Sequence, residues 1–284
     1  MSVSTISPAQ RERARRLTDL HHSSTALALP NAWDAASARV FEAAGAQAVG
    51  TSSAGIAFSR GYPDGERIPL AEMIDVVRRM VALVDVPVTV DIEAGYGATR
   101  EAVLETVRAV IDAGAVGVNL EDAPTNRPGE LRDTAEQAVL IAAVRALASE
   151  AGIDLYINAR TDVFWLRLGS AESRLDATLA RLRAYRDAGA SGVFVPGVTD
   201  ADTIAALVAG ATCPLNVLAG PGCPDMAGMT RLGVARVSVG SGPARAIMAL
   251  TRRIGADLLE QGRFDAMLAE TIPYAEANAL FGPR

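Results

Sequence analysis

The side chains able to do chemistry in this chain gather at the ends of short apolar runs. Asp91 and Glu93 follow VPVTV, Glu121 follows VGVNL, and Arg160 and Asp162 sit in INARTD. Residues two apart on a strand point to one side, so Asp91 and Glu93 are expected to share a face. With Glu121 from the next run they would form a patch of three carboxylates. Buried together, such charges raise one another's pKa unless a cation sits among them. Mg²⁺ suits the patch, with Mn²⁺ as the alternative ion, because it takes one or two carboxylates directly and keeps several waters. The competing reading pairs these acids with Arg160. Arg160 has a second role open to it, since its planar fork matches a substrate carboxylate bidentately. Asp162 would then hold that arginine or cap the next helix. The small polar run from Thr51 to Gly55 offers the Ser52 hydroxyl and the backbone of Ser53 and Ala54 as a cradle for a carboxylate or oxyanion. Its plainer reading is an ordinary turn.

What the chain lacks narrows the chemistry. All 27 basic residues are arginine. That removes Schiff-base lysines, pyridoxal-phosphate lysines and the P-loop lysine. The only histidines, His21 and His22, are adjacent and precede the first strand-like run, so no catalytic or multi-histidine metal site is expected. Cys213 and Cys223 match no zinc spacing and are read as inert. A net charge of −6 argues against a nucleic-acid partner. The apolar runs are too short to span a membrane. The opening segment MSVSTISPAQRERARR has no apolar signal core, which points to the cytoplasm. The expected partner is a small carboxylate.

These residues need a scaffold, and the sequence repeats one. A helical stretch ends in a glycine turn and a β-rich run follows, in FEAAGAQAVGTSS, VIDAGAVGVNLED, YRDAGASGVFVPG and TRLGVARVSVGSG. Gly45, Gly114, Gly189 and Gly233 suit a left-handed helix C-cap. Interleaved runs at 26–30, 86–93, 155–160 and 213–218 bring the strands to eight. Helices are expected near 34–44, 69–83, 99–112, 134–149, 171–187, 200–209, 225–231 and 243–255. Alternating strands and helices imply parallel strands and right-handed crossovers. The fold class is therefore α/β, an eightfold (β/α)8 barrel. The rival is a doubly wound sheet, but no G-x-G-x-x-G follows the first strand. Residues 1–256 form the barrel domain, and 257–284 form a C-terminal helical arm that either caps the barrel or packs on another subunit. In such a barrel the site lies at the C-terminal strand ends, where Asn216 and Ser238 also fall. The loop 123–133 is rich in Pro, Gly and polar residues and is read as a lid or a connector. Trp33, at the start of the first helix, packs beneath it or lines the mouth.

The segments PNAWDAASARVFEAAGAQAV, SSAG followed by GYPDGE, VDIEAGYG, NLED, INARTD and VFVPG, in that order, resemble the isocitrate lyase and phosphoenolpyruvate mutase superfamily. The similarity runs from about residue 29 to 240. The resemblance implies a barrel with Mg²⁺ at its strand ends and a C–C or P–C bond broken beside a 2-oxo or 2-hydroxy carboxylate, through an enolate. It implies a homotetramer or homodimer that exchanges the last helix. By position it makes Asp64, Asp91, Glu93 and Glu121 the metal shell, much of it through water. Arg160 becomes the carboxylate binder, Ser52, Ser53 and Ala54 the oxyanion cradle, and Asn216 and Trp33 substrate contacts. Two departures follow. Glu93 stands where many members carry Asp. The loop after NLED lacks the Lys-x-Cys-Gly-His of isocitrate and methylisocitrate lyases and the lysine of the mutases, although Thr125 and Asn126 are present. A C–C lyase asks least of that loop; a P–C bond enzyme and a catalytically silent carboxylate-binding barrel are the alternatives.

Overall fold

The first strand-like run ends in Pro30, which has no N–H to give to a ladder. The computed structural model, which describes residues 5–282, splits the first barrel strand there. β1 (Leu27–Leu29) pairs with the last strand, and β2 (Asn31–Ala32) pairs with the next one along the chain. The remaining strands are β3 (Val49–Thr51), β4 (Val88–Asp91), β5 (Gly117–Glu121), β6 (Tyr156–Arg160), β7 (Gly192–Val195), β8 (Leu215–Leu218) and β9 (Arg236–Ser238). All pairings are parallel, in the order β1-β9-β8-β7-β6-β5-β4-β3-β2. With β1 and β2 as halves of one strand, the ring is the expected eightfold barrel, and a doubly wound sheet is excluded.

The expected crossover helices are present as α2 (Ala35–Ala43), α4 (Leu70–Leu83), α5 (Arg100–Asp112), α6 (Thr134–Ala151), α7 (Ala171–Asp187), α8 (Ala201–Ala211), α9 (Met226–Arg231) and α10 (Gly242–Gln261). Their starts are capped as residue type dictates: Asp34, Thr99, Asp133, Ser170, Asp200 and Asp225 each accept a backbone N–H of the first turn. Gly114, after α5, has φ +89°, and its three counterparts in the repeat are left-handed too. α10 runs unbroken past residue 256. It is followed by α11 (Asp265–Leu268) and α12 (Tyr274–Ala279). Two helices lie outside the sequence reading. α3 (Ser53–Ser59) turns directly off β3, and α1 (Pro8–His21) closes the barrel from below. The Gln10 amide of α1 donates to the Ile111 and Ala115 carbonyls, and Leu17 is wholly buried.

The strands alternate a valine-rich outer face with a polar inner one. Val118, Leu120, Ile157, Val193 and Val217 pack outward against the helices within the buried core. Arg236 on β9 reaches Asn119 on β5, four strands around the ring, so that contact crosses the lumen. Barrels of this type are normally filled by branched apolar side chains; here polar groups carry much of the filling.

Candidate active site

At the C-terminal strand ends a cavity of about 150 Å³ opens. Ser52, Ser53, Ala54, Asp64, Asp91 and Arg160 line it, with Asn119 and Ser238 deeper and Trp165 at its edge. The turn off β3 is set by Ser52, whose hydroxyl oxygen accepts the Gly55 N–H and starts α3. Ser53 is thereby aimed at Asp91, its hydroxyl donating to Oδ2 at 2.9 Å.

Arg160, at the end of β6, is held by carboxylates on two sides. Its Nε and Nη2 donate to the two oxygens of Asp162 at 2.6 and 2.8 Å, and Nη1 meets Glu121 at 2.7 Å. Burial opposes the guanidinium charge, but Glu121 and Asp162 outweigh it and hold the proton above its ordinary range. The structure thus bears out the pairing of Arg160 with these acids. Three N–H groups serve the acids, and of the five in the fork two remain to meet a ligand in the cavity. Asp162 is a clamp on Arg160 rather than a helix cap; Ser170 caps the next helix.

The acids do not form the flat patch that strand periodicity suggested. β4 ends at Asp91, and Glu93 lies beyond it in a left-handed turn with φ +50°. There its carboxylate accepts the Glu66 N–H at 2.9 and 3.1 Å and the Tyr96 hydroxyl at 3.3 Å. Its charge still couples to the cavity. Burial, then Asp91, then Asp64 push its pKa up to about 8. Asp64 is pushed up by burial and by Asp91. Glu121 is pushed up by burial, against the pull of Arg160.

Among the described residues, no three carboxylates, histidines or cysteines converge closely enough to ligate one ion directly. The donor set does fit a divalent ion that binds one or two carboxylates and keeps its waters. Asp64 and Asp91 face the cavity, and the upward push of Asp91 on both Asp64 and Glu93 is what a cation among them would reverse. Glu121 is engaged by Arg160 and would reach an ion through water.

Two expected substrate contacts lie elsewhere. Trp33 is outside the cavity; it packs on Gly55 in an apolar groove shared with Phe58, Ile247 and Met248. Trp165 holds the mouth position instead. Asn216 is buried below the cavity, its Oδ1 accepting from the Ser238 hydroxyl. Sequence reasoning missed Glu66, whose carboxylate takes the Tyr96 N–H and the Thr125 hydroxyl. It ties the loops after β3, β4 and β5 together, so Thr125 is already partnered.

A family model described as phosphoenolpyruvate phosphomutase matches residues 17–259. An uncharacterised protein of Mycobacterium tuberculosis (strain H37Rv) is 37% identical over 261 residues, covering 92% of this chain and 94% of that protein. A structure from Burkholderia cenocepacia J2315, provisionally described as a lyase/mutase, superposes with TM-score 0.90 at 36% identity over 98% of both chains. Oxaloacetate acetylhydrolase in complex with its product oxalate superposes with TM-score 0.84 at 25% identity, over 95% of this chain and 94% of that one. The chain is a member of the phosphoenolpyruvate phosphomutase family, within the superfamily that includes the isocitrate lyases.

Proposed function

We propose that this protein is a divalent-metal-dependent lyase that cleaves the C–C bond beside a 2-oxo or 2-hydroxy carboxylate and leaves an enolate. The observation that carries this reading is one cavity lined at once by Arg160, the Ser52–Ala54 turn, Asp64 and Asp91. The free N–H groups of Arg160 and the backbone of the turn hold the substrate carboxylate. Glu121 and Asp162 keep the guanidinium from swinging away, so the substrate is oriented before the bond breaks. Asp64 and Asp91, with Glu93 near them, would hold a divalent ion, which would supply Lewis-acid stabilisation of developing negative charge. The oxaloacetate acetylhydrolase likeness supports a 2-oxo acid as substrate. The phosphoenolpyruvate phosphomutase model favours a second reading, a P–C bond enzyme. The arm beyond α10 is proposed to dock on a second copy of the chain.

The experiment is product release from oxaloacetate, methylisocitrate, 4-hydroxy-2-oxo acids and phosphonopyruvate, with and without Mg²⁺. Metal-dependent release from one of the first three is expected. Turnover of phosphonopyruvate alone makes it a P–C enzyme. Oxalate binding without turnover makes it a carboxylate-binding barrel. Glu93→Gln is expected to weaken Mg²⁺ dependence by about 10- to 100-fold without unfolding the barrel; an unchanged Mg²⁺ affinity refutes the metal assignment.

A further inference from the structure

We infer that Asn119 touches the ligand, as a neutral hydrogen-bond donor on the cavity floor, and that Arg236 and Asn158 are positioning residues that fix its direction. The inference rests on the reading of the cavity as a carboxylate site. Asn119 lies on β5 opposite Asp91 in the sheet register and lines the cavity. Its Oδ1 accepts two hydrogen bonds from below, from Asn158 Nδ2 at 2.8 Å and from Arg236 Nη2 at 3.0 Å. An amide oxygen has two lone pairs, so this one is saturated. The reverse orientation would set an NH₂ against the guanidinium, which has no acceptor. The amide is therefore locked with its nitrogen away from Arg236, in a cavity that Asp91 and Arg160 also line.

Stability does not account for the lock. Arg236 is wholly buried, and no carboxylate lies within ion-pair distance of it among the described residues. Its Nε and Nη1 find no protein partner. An isolated buried cation is costly, and an apolar side chain would fill a barrel lumen at no such cost. What the guanidinium does provide is direction to Asn119. A fixed N–H in the cavity that also holds the Arg160 fork selects an oxygen that only accepts, such as the carbonyl, enolate or carboxylate oxygen of a 2-oxo acid. It turns away a 2-amino acid, whose ammonium would meet donors.

The test is calorimetric titration of oxalate and of glycolate in the presence of Mg²⁺. Asn119→Asp keeps an oxygen for Asn158 and Arg236, and gives the buried guanidinium a carboxylate, so it is expected to fold with an undiminished melting temperature. Its oxalate affinity is expected to fall about 10- to 100-fold, the worth of a hydrogen bond to a charged ligand. Its preference for oxalate over glycolate should shrink, because the new carboxylate can accept the glycolate hydroxyl. Arg236→Met should weaken oxalate binding while leaving Mg²⁺ affinity unchanged, and Arg236→Lys, which still donates, should restore part of it. Oxalate binding by Asn119→Asp indistinguishable from wild type overturns the inference alone. Absence of Mg²⁺-dependent oxalate binding in the wild-type protein overturns both the inference and the proposed function.

Discussion

Acidification should loosen this barrel from its closed end, through His21. The His21 ring stacks on Tyr156 with centroids 3.9 Å apart, and its Nδ1 lies 2.7 Å from the Leu17 carbonyl. That contact places the N–H on Nδ1 and leaves Nε2, which is buried without a protein partner, to take any added proton. Burial first, and the Arg236 charge second, pull the imidazole down to about 3 from its ordinary 6.5. The unfolded chain therefore binds a proton near pH 6.5 that the folded chain refuses until about pH 3. The native state is fully favoured above about pH 6.5 and loses about 1.4 kcal/mol per unit as the pH falls below it. By about pH 5 the loss is about 2 kcal/mol, and the whole shift is worth about 5 kcal/mol. Urea unfolding at about pH 7.5 and pH 5 measures it, with His21→Phe as the control that keeps an aromatic ring on Tyr156 and cannot titrate. The wild-type protein should lose about 2 kcal/mol more than the variant over that interval. Parallel losses in the two proteins would refute the reasoning.

Arg160→Lys replaces a fork that serves Asp162 twice and Glu121 once with a single ammonium. It should lower unfolding free energy by about 1.5–3 kcal/mol, read by urea melts, and weaken oxalate binding at least about tenfold, read by calorimetry. Unchanged oxalate affinity would remove Arg160 from the ligand contacts. Leu258, Leu259, Phe264, Leu268, Tyr274 and Phe281 expose large apolar surface on and beyond the end of α10, a pattern that marks an interaction face. Light scattering should give a multiple of the 29.6 kDa chain mass for the full protein and a smaller species once residues from 262 onward are deleted. A monomeric full-length protein would refute the docking arm.

The parts of the fold legible in the sequence were those with a periodic signal. The repeat of helix, glycine and β-run located four of the barrel strands, because Gly45, Gly114, Gly189 and Gly233 all need a left-handed backbone, and the interleaved apolar runs located the rest. α1 went unread because its buried residues Gln10, Ala14, Leu17 and His21 include two polar ones: Gln10 is satisfied by carbonyls about a hundred residues away, and His21 stacks on the distant Tyr156. Asp91, Arg160 and the Ser52 turn were legible as strand-end chemistry. Glu93 was not placed correctly, since strand alternation stops at Asp91 and a left-handed turn follows. The polar lumen had a signal that could have found it: VTVD, VNLE, INAR and ARVS alternate apolar and polar residues. Trp33 and Trp165 could not be ranked, because which loop reaches the mouth depends on packing rather than spacing.

The division of the first strand at Pro30 bears on how the chain is made. The Asn31 side chain closes that seam. It donates to the Thr51 carbonyl and accepts the Val239 and Gly240 N–H groups, residues 208 and 209 positions further along. β1 cannot find its partner until β9 has been synthesised, so for most of translation the nascent sheet is an open arc with two bare edges. Until that pairing forms, both edges of the arc present unpaired backbone groups, the kind of exposed edge that invites aggregation during assembly.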